Sequence, residues 1–198
     1  LCLTGGDPLI REDFLELYSY AKQKGFFITI FTNGLALADK LVDCLIKSPP
    51  FSIEITLNGI TKETYESITQ VPGSFARVMR VIKVLKEKKL PFVLKSNCLK
   101  QNKHEIHKIK AFAEELFADL PRNKFSFRYD PMINLRYNGD KTLRNCRLSF
   151  QEIEEVRRQG PEWKEDEKRP KCRLPRLRRN KAFLYHCTDY KQIFFIDA

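Results

Sequence analysis

Apolar residues along the chain recur at two spacings, one typical of buried β-strands and the other typical of amphipathic helices. Residues 26–32 and 51–57 are short runs rich in β-branched and aromatic side chains, which suit buried parallel strands. In residues 74–89, apolar side chains recur every three or four positions and would cover one face of a helix. The whole pattern predicts strands at 1–4, 26–32, 51–57, 91–97 and 124–130, and helices at 11–24, 37–47, 61–69, 74–89, 102–118 and 149–159.

Three local signals predict where helices begin and end. Asn102 with Glu105, and Ser149 with Glu152, have the spacing of a capping box, in which a polar residue and a glutamate three positions later cap the helix start. Gly25 follows the first predicted helix and is expected to act as its carboxyl-terminal cap.

Strands that alternate with helices at this spacing predict right-handed βαβ units and a parallel sheet, hence an α/β fold. Five such strands fit either part of a barrel or an open doubly wound sheet, and the apolar pattern is compatible with both. In either architecture a ligand binds at the carboxyl ends of the strands. The residues directly after each strand are therefore the candidates for function.

The segments after the predicted strands form a small, polar, glycine-rich edge. Glycine lets a ligand approach the backbone closely, threonine and asparagine supply neutral donors and acceptors, and lysine and aspartate supply charges. This edge suits a zwitterionic ligand with a sugar and a base better than a polyphosphate, and the sequence contains neither GxxxxGK[ST] nor GxGxxG. The segments are Thr4-Gly5-Gly6-Asp7-Pro8, Thr32-Asn33-Gly34, Thr56-Leu57-Asn58-Gly59, Lys95-Ser96-Asn97 and Arg128-Tyr129-Asp130-Pro131.

Length and cysteine content narrow the class of protein. The 198 residues are 42% hydrophobic, which suits a globular domain, and they contain no apolar stretch long enough for a membrane helix and no signal peptide. No membrane partner is therefore expected. The cysteines are widely scattered and form no CxxC pair, which predicts a reducing, cytoplasmic context. They are Cys2, Cys44, Cys98, Cys146, Cys172 and Cys187.

Positive charge is concentrated near the end of the chain. Residues 168–181, called the basic segment below, hold eight Lys or Arg and no acid, which leaves +3 of the net charge of +11 for the rest. The segment is either a solvated linker or a docking site for an acidic partner, such as an acidic peptide or a nucleic acid backbone. Pro170 and Pro175 disfavour a regular helix there.

Three of the strand-end motifs resemble those of radical S-adenosylmethionine (radical SAM) enzymes. Residues 3–9 resemble the GGEP motif after the family's second strand, with Asp7 in place of the commoner glutamate. Residues 31–34 resemble the TNG after its third strand, and residues 55–59 resemble its ISLDG after the fourth, with Thr for Ser and Asn for Asp. The remaining two segments lie where the fifth and sixth strands end, so the resemblance spans about residues 1–145.

The resemblance implies a partial (β/α)6 TIM-like barrel over residues 1–148, in which the family's strands 2–6 are present. In that family, a CxxxCxxC loop after the first strand holds a [4Fe–4S] cluster that binds S-adenosylmethionine (SAM). Cleavage of SAM then generates a 5′-deoxyadenosyl radical that abstracts hydrogen from the substrate. The 198 residues contain no CxxxCxxC. We therefore expect an internal fragment, truncated at both ends, that lacks the catalytic-cluster cysteines and is inactive alone.

The resemblance also assigns roles to the edge residues. The Gly5–Asp7 edge is expected to offer backbone acceptors to the ammonium of SAM, and the Thr32-Asn33 turn to border its adenosine. Thr56, with Lys95 or Asn97, is expected to contact its carboxylate or its ribose hydroxyls. The full set of predicted SAM-binding residues is Thr4, Gly5, Gly6, Asp7, Pro8, Thr32, Asn33, Thr56, Lys95 and Asn97.

Residues 184–198 resemble the start of a SPASM or twitch extension, which follows the barrel in part of the family. Cys187 matches the first ligand of an auxiliary [4Fe–4S] cluster there, although a cysteine before an aromatic strand is also commonly a core residue. The predicted organisation is therefore a partial barrel at 1–148, a helix and basic linker at 149–183, and the start of the extension at 184–198.

Enzymes with this extension typically modify peptides or proteins, which implies a peptide or protein substrate here, together with an electron donor such as a flavodoxin or ferredoxin. The basic segment would then hold an acidic leader peptide. Asp130, at the end of the sixth strand, is the candidate catalytic group on the substrate side. Alternatively, Asp130 has only a structural role, as a turn residue before Pro131. Two other functions stay open, namely a radical SAM enzyme that acts on RNA and a non-catalytic binding module derived from the barrel.

Overall fold

The computed structural model describes residues 1–119, 127–130 and 145–159, which all belong to the compact unit Leu1–Gly160. Every strand and helix that the sequence predicts is present, and a short 3-10 helix, Pro8–Ile10, follows the first strand. The predictions for the basic segment, for Cys187 and for the start of the extension lie outside the described residues. The strands are β1 (Cys2–Leu3), β2 (Thr29–Thr32), β3 (Ser52–Thr56), β4 (Phe92–Asn97) and β5 (Phe127–Asp130), and the helices are α1 (Phe14–Gln23), α2 (Asp39–Lys47), α3 (Lys62–Thr69), α4 (Ser74–Glu87), α5 (Ile106–Leu116) and α6 (Phe150–Gln159).

The strand order decides between the two sheet architectures. All neighbouring strands are parallel, and their order across the sheet, β1-β2-β3-β4-β5, follows the sequence. A doubly wound sheet reverses its strand order at a switch point, and this sheet does not. Right-handed connections in such an order place successive helices on the same side of the sheet, as in a barrel. The fold is therefore a partial (β/α) barrel, which confirms the fold implied by the family resemblance.

The two faces of the sheet differ in chemistry. On one face, Ile30, Ile53, Ile55 and Leu94 are fully buried and form one core with the helices, and burying each such side chain is worth roughly 1.5–3 kcal/mol. The opposite face, called the inner face below, faces the barrel interior and is mainly polar. Strand alternation and register place on it Thr29, Phe31, Glu54, Thr56, Lys95, Asn97, Arg128 and Asp130.

None of the helices in the described ranges combines the length and the apolar character needed to cross a bilayer. Gly25, one residue beyond the C-cap Lys24 of α1, has a φ of 80°, which confirms that it helps to end this helix. The Ser149–Glu152 capping box is also confirmed. The Ser149 amide donates to Glu152 Oε2 at 2.8 Å, and the Glu152 amide donates to Ser149 Oγ at 3.2 Å.

The predicted capping box of Asn102 and Glu105 is wrong. α5 begins only at Ile106, and both side chains instead contact other parts of the fold. Asn102 accepts a hydrogen bond from the Leu99 amide and donates to the Asn58 and Asn97 carbonyls. The tertiary contacts of these two buried side chains outweigh the local capping pattern.

The Glu152 carboxylate makes the stability of α6 dependent on pH. Hydrogen bonds from Lys103 Nζ and from the Ser149 amide lower the pKa of Glu152 from 4.5 to about 2. A lowered pKa in the folded state stabilises the protein above pH 4.5, and this contribution is lost as the pH falls towards 2. We expect Glu152→Gln to lower the melting temperature by about 2 °C at pH 7, and the difference from wild type to shrink steadily between pH 5 and pH 3. A difference that is constant with pH in calorimetric scans would contradict this assignment.

Candidate functional site at the carboxyl edge of the sheet

The parallel sheet brings the predicted site residues to one edge. In the strand register, Thr56 lies beside Lys95, and Asn97 lies beside Asp130. Thr4 directly follows β1, at the same edge. The structure thus assembles the polar strand-end segments into one continuous surface. Whether each residue contacts a cofactor stays a prediction.

Asp7 joins the turns after β1 and β2. Its side chain is buried, and both oxygens accept a hydrogen bond from Thr32 Oγ1, at 2.9 and 2.8 Å. Oδ1 also accepts from the Leu9 amide at 3.0 Å, and Oδ2 accepts from the Asn33 amide at 2.9 Å. Thr32 Oγ1 in turn accepts from the Gly34 amide at 2.9 Å. We call this set the Asp7 clamp, and it uses the Asp7 and Thr32 side chains to position the edge.

The backbone before the clamp is open. Thr4, Gly5 and Gly6 are exposed, whereas Asp7 and Pro8 are buried. Gly5 has a φ of 142°, a conformation that side chains rarely adopt, and nothing lies within 4 Å of a Cβ built on Gly5 or Gly6. The Gly5-Gly6 peptide groups are therefore accessible to a ligand that approaches the edge. This is the geometry that the sequence predicts for close contact with the backbone.

Gly6 allows the site to be tested without disturbing the fold. Its φ lies outside the left-handed region and a Cβ there meets nothing, so Gly6→Ala should change the free energy of unfolding by no more than about 0.5 kcal/mol. If SAM lies against this peptide, the added methyl group should weaken SAM affinity at least about tenfold. Equilibrium dialysis of SAM with the iron-loaded protein measures this. Unchanged affinity would mean that the ligand does not contact Gly6.

Lys95 supplies a positive charge on the inner face. It is half-buried, and its ammonium lies 5.1 Å from the centroid of the Phe31 ring, across β3 on strand β2. Its register neighbour Thr56 is also half-buried. The two side chains provide one cation and one hydroxyl at the same carboxyl edge of the sheet as the exposed Gly5-Gly6 backbone. A carboxylate or ribose hydroxyls can bind to such a pair.

Three side chains that the sequence pattern does not predict to support the rim hold its loops together. Asn58 Oδ1 accepts a hydrogen bond from the Asn97 amide at 2.9 Å, which ties the end of β4 to the turn after β3. Asn102 is fully buried and ties the same two loops together. Glu105 accepts from the Ile60 and Thr61 amides and from the Thr61 hydroxyl, and so holds the start of α3.

Hydrogen bonding also determines the protonation state of Glu105. Burial raises its pKa, but the donors from Thr61, Ile60 and Thr64 together outweigh burial, so the net effect lowers the pKa. Glu105 is therefore a carboxylate that holds the start of α3 to the start of α5.

The inner face carries a second feature that the sequence analysis did not assign. Glu54 in β3 is buried and forms an ion pair with Arg128 in β5. The available signal was the alternation of polar Ser52, Glu54 and Thr56 with apolar Ile53 and Ile55 along one strand. Only the strand order and register show which partner lies opposite the polar face.

The described residues do not form a site for an iron–sulfur cluster. Within 1–119, 127–130 and 145–159, no group of three or more His, Cys, Asp or Glu side chains converges. Cys2 lies in β1, where partial desolvation and the negative charge of Glu54 raise the pKa of its thiol, with Lys95 opposing. The open glycine edge with Thr56 and Lys95, in contrast, offers the neutral and cationic groups that an amino acid conjugate such as SAM needs.

Asp130, the candidate catalytic residue, ends β5 on the inner face and is exposed. Its main-chain carbonyl accepts a hydrogen bond from the Cys98 amide at 2.8 Å, and its register partner is Asn97. The residue therefore lies at the same carboxyl edge as the predicted SAM-binding residues, at the end of β5. Its catalytic role stays a prediction.

A family comparison matches more than half of the chain. Residues 1–113 match the radical SAM superfamily. The chain is 32% identical over 118 residues to an AdoMet-dependent heme synthase of Methanosarcina barkeri, covering 60% of this chain and 34% of that protein. It is 28% identical over 118 residues to a PqqA peptide cyclase of Rhizobium meliloti, covering 60% of this chain and 32% of that protein. The chain thus spans about a third of the length of these curated relatives.

Solved structures share the fold. SuiB from Streptococcus suis superposes with a TM-score of 0.64 at 15% identity, covering 84% of this chain and 36% of that chain. The structure of anSMEcpe with bound AdoMet and a Kp18Cys peptide superposes with a TM-score of 0.60 at 17% identity, covering 80% of this chain and 44% of that chain. At these identities the likeness concerns the fold alone.

Proposed function

We propose, because this chain belongs to the radical SAM superfamily, that the carboxyl edge of its sheet binds SAM and that the protein abstracts hydrogen from a peptide or protein substrate. The observation that carries the proposal is the exposed Gly5-Gly6 backbone, held in place by the Asp7 clamp at the end of β1. An open backbone with a hydroxyl and an ammonium group at the same edge suits an organic zwitterion.

Three groups at the edge would hold SAM. The Gly5-Gly6 carbonyls would accept from its ammonium, Thr56 with Lys95 or Asn97 would bind its carboxylate or ribose, and the Thr32-Asn33 turn would border its adenosine. Bound SAM, on one-electron reduction by the electron donor, would supply the radical chemistry that abstracts hydrogen, and it would leave as methionine and 5′-deoxyadenosine. The residues of this chain would orient the cofactor, and the Phe31 ring lies against the Lys95 ammonium on the inner face.

The catalytic cluster needs other ligands. Because the described residues bring no suitable set of cysteines together, we propose that its cysteines lie outside the described residues. An auxiliary cluster at Cys187, an acidic leader peptide bound to the basic segment, and a flavodoxin or ferredoxin as electron donor belong to the same proposal. A cytoplasmic location follows from the cysteine content and stays a prediction.

The names of several similar proteins support a peptide substrate. One relative is named a PqqA peptide cyclase, and two structural neighbours are described as bound to a Kp18Cys peptide and to the precursor peptide SuiA. Another relative is named a heme synthase, so the substrate test also needs a heme-related arm. RNA is a further alternative, because of the basic segment.

The test uses the product of the whole reading frame, reconstituted with iron and sulfide without oxygen. Iron per chain is counted, and 5′-deoxyadenosine released from SAM in the presence of dithionite is quantified. Cluster-level iron with release of 5′-deoxyadenosine supports the proposal. Full iron loading without 5′-deoxyadenosine contradicts it.

The substrate class is tested next by mass spectrometry. Peptides encoded beside the gene, heme precursors and RNA are each added to the active protein. A mass change in a peptide alone supports the peptide proposal. A change confined to heme precursors or RNA overturns that part and leaves the radical chemistry intact.

A further inference from the structure

Two cations lie side by side on the inner face. Lys95 in β4 and Arg128 in β5 are register partners, so their side chains leave neighbouring strands on the same side of the sheet. Like charges directly opposite each other destabilise a sheet unless an anion compensates them. Within the described residues, the ion pair at this position joins Arg128 to Glu54 of β3. It compensates one of the two cations.

The Glu54–Arg128 ion pair uses only part of each side chain. Glu54 contacts the Arg128 Nη2 through Oε1, whereas its buried Oε2 has no hydrogen-bond partner in the part of the chain that the structure describes. The pair is therefore monodentate rather than a two-bond fork. Because a guanidinium has five N–H donors, Arg128 keeps donors for a second acceptor. Its side chain is 49% exposed, so a ligand can reach them.

Lys95 has no carboxylate partner of its own in the described ranges. Its ammonium lies over the Phe31 ring, a contact that leaves its N–H donors unused. Asp130, the other acid on this face, is exposed at the rim, two residues beyond Arg128, and makes an interaction of its own. The inner face therefore presents an arginine and a lysine whose N–H donors can bind a ligand. Both residues lie on strands that end at the edge proposed to bind SAM.

We propose that Arg128 binds a carboxylate of the substrate on the inner face of the barrel, that the positive charge of Lys95 beside it strengthens this attraction without bonding to the substrate, and that Glu54 holds Arg128 in position. This inference rests on the proposed function and adds the chemical class of the group recognised, an acidic side chain or terminal carboxylate of a peptide. A carboxylate matches the planar fork of arginine, and the neighbouring ammonium stabilises the same charge. A cationic group would instead meet two like charges.

The test compares two ligands that differ only in charge. N-acetylglutamate methylamide and N-acetylglutamine methylamide have the same shape, and each is titrated by NMR into the iron-loaded whole protein saturated with SAM. We expect the wild-type protein to bind the glutamate compound at least about tenfold more tightly, with the preference weakening as salt is added. Equal binding of the two compounds, or no binding of either, overturns the inference without relying on any variant.

The variants then locate the site. Arg128→Gln and Lys95→Gln should each remove most of the preference for the glutamate compound. Arg80→Gln, an exposed position on α4 with the same change of charge, should leave it intact. Since Arg128→Gln leaves the buried Glu54 without its partner, Lys95→Gln is the variant that does not depend on the stability of that pair. Because Lys95 also belongs to the predicted SAM-binding set, this variant is titrated at a SAM concentration shown to saturate it. Retention of the preference in both variants overturns the inference.

A final comparison separates this site from the carboxylate site of SAM. SAM affinity is measured with and without a saturating concentration of the glutamate compound. Unchanged SAM affinity supports a separate substrate site, and direct competition overturns it. If the wild-type protein does not bind SAM at all, the proposed function fails. If the wild-type protein binds SAM but does not prefer the glutamate compound over the glutamine compound, only this inference is overturned.

Discussion

Asp7→Asn should destabilise the protein by about 3 kcal/mol and weaken its affinity for SAM. The Asp7 carboxylate is buried and accepts from the Leu9 amide through one oxygen and from the Asn33 amide through the other. Whichever way the asparagine amide is oriented, its NH2 group faces one of these N–H donors. A buried donor that loses its acceptor costs about 1–3 kcal/mol, and the clamp also loses a bond to Thr32. The turns after β1 and β2 then lose their common anchor.

Urea unfolding followed by circular dichroism measures the change in stability, and equilibrium dialysis measures the affinity for SAM. Asp13→Asn is the matched control, because that carboxylate is exposed and pairs with Arg11 at the surface. The control should unfold at nearly the wild-type urea concentration. If Asp7→Asn also does so, the clamp contributes nothing and the proposed positioning of the Gly5-Gly6 edge is wrong.

Gly59→Ala should lower the free energy of unfolding by about 2–3 kcal/mol. A Cβ at Gly59 would lie 2.6 Å from the Tyr65 amide nitrogen and 2.9 Å from its Cα, both backbone atoms of α3. The helix would have to move, but Glu105 holds its first turn through Thr61 and Thr64, and the Tyr65 side chain is buried in the core. Because α3 is held at both its first turn and its buried side chain, it cannot shift to relieve the contact with the added methyl group.

Gly6→Ala is the control for this prediction, since a Cβ at Gly6 meets no atom within 4 Å. The two variants make the same chemical change at the same edge, one against backbone and one into open space. Urea unfolding midpoints of the two variants should therefore differ widely. Similar midpoints would show that the close approach of α3 to the turn after β3 is not part of the stable fold.

Much of this architecture is visible in the sequence because each element carries its own local signal. The strands are short β-branched or aromatic runs, and the helices have apolar residues at helical spacing, so the alternation of the two predicts a parallel α/β sheet. The glycine-rich segments then follow the strands. A site at the carboxyl edge is a consequence of parallel topology alone.

The contacts within the site depend on information that local patterns do not contain. Asn102 and Glu105 have the spacing of a capping box. Each side chain is instead buried and forms hydrogen bonds with a loop about 45 residues earlier in the chain. These contacts satisfy more polar groups than a local cap would, so tertiary structure overrides the pattern.

The ion pair on the inner face could not be predicted from the sequence for a different reason. Glu54 and Arg128 are 74 residues apart and on strands separated by β4, so their contact depends on strand order and register together. The alternation of polar and apolar residues in β3 predicts a polar face for that strand. It does not identify which cation lies opposite, and the same holds for Lys95 over Phe31.

Hydrogen–deuterium exchange with and without SAM tests the central claim most directly, because it reports where the cofactor binds rather than whether turnover occurs. The iron-loaded product of the whole reading frame is compared in the two states by mass spectrometry of peptic peptides. We predict slower exchange on SAM binding in the segments that contain residues 4–8, 32–34, 56–59 and 95–97, with α1 and α2 unchanged. If SAM binds while exchange at these four segments stays the same, the carboxyl edge described here is not the SAM site.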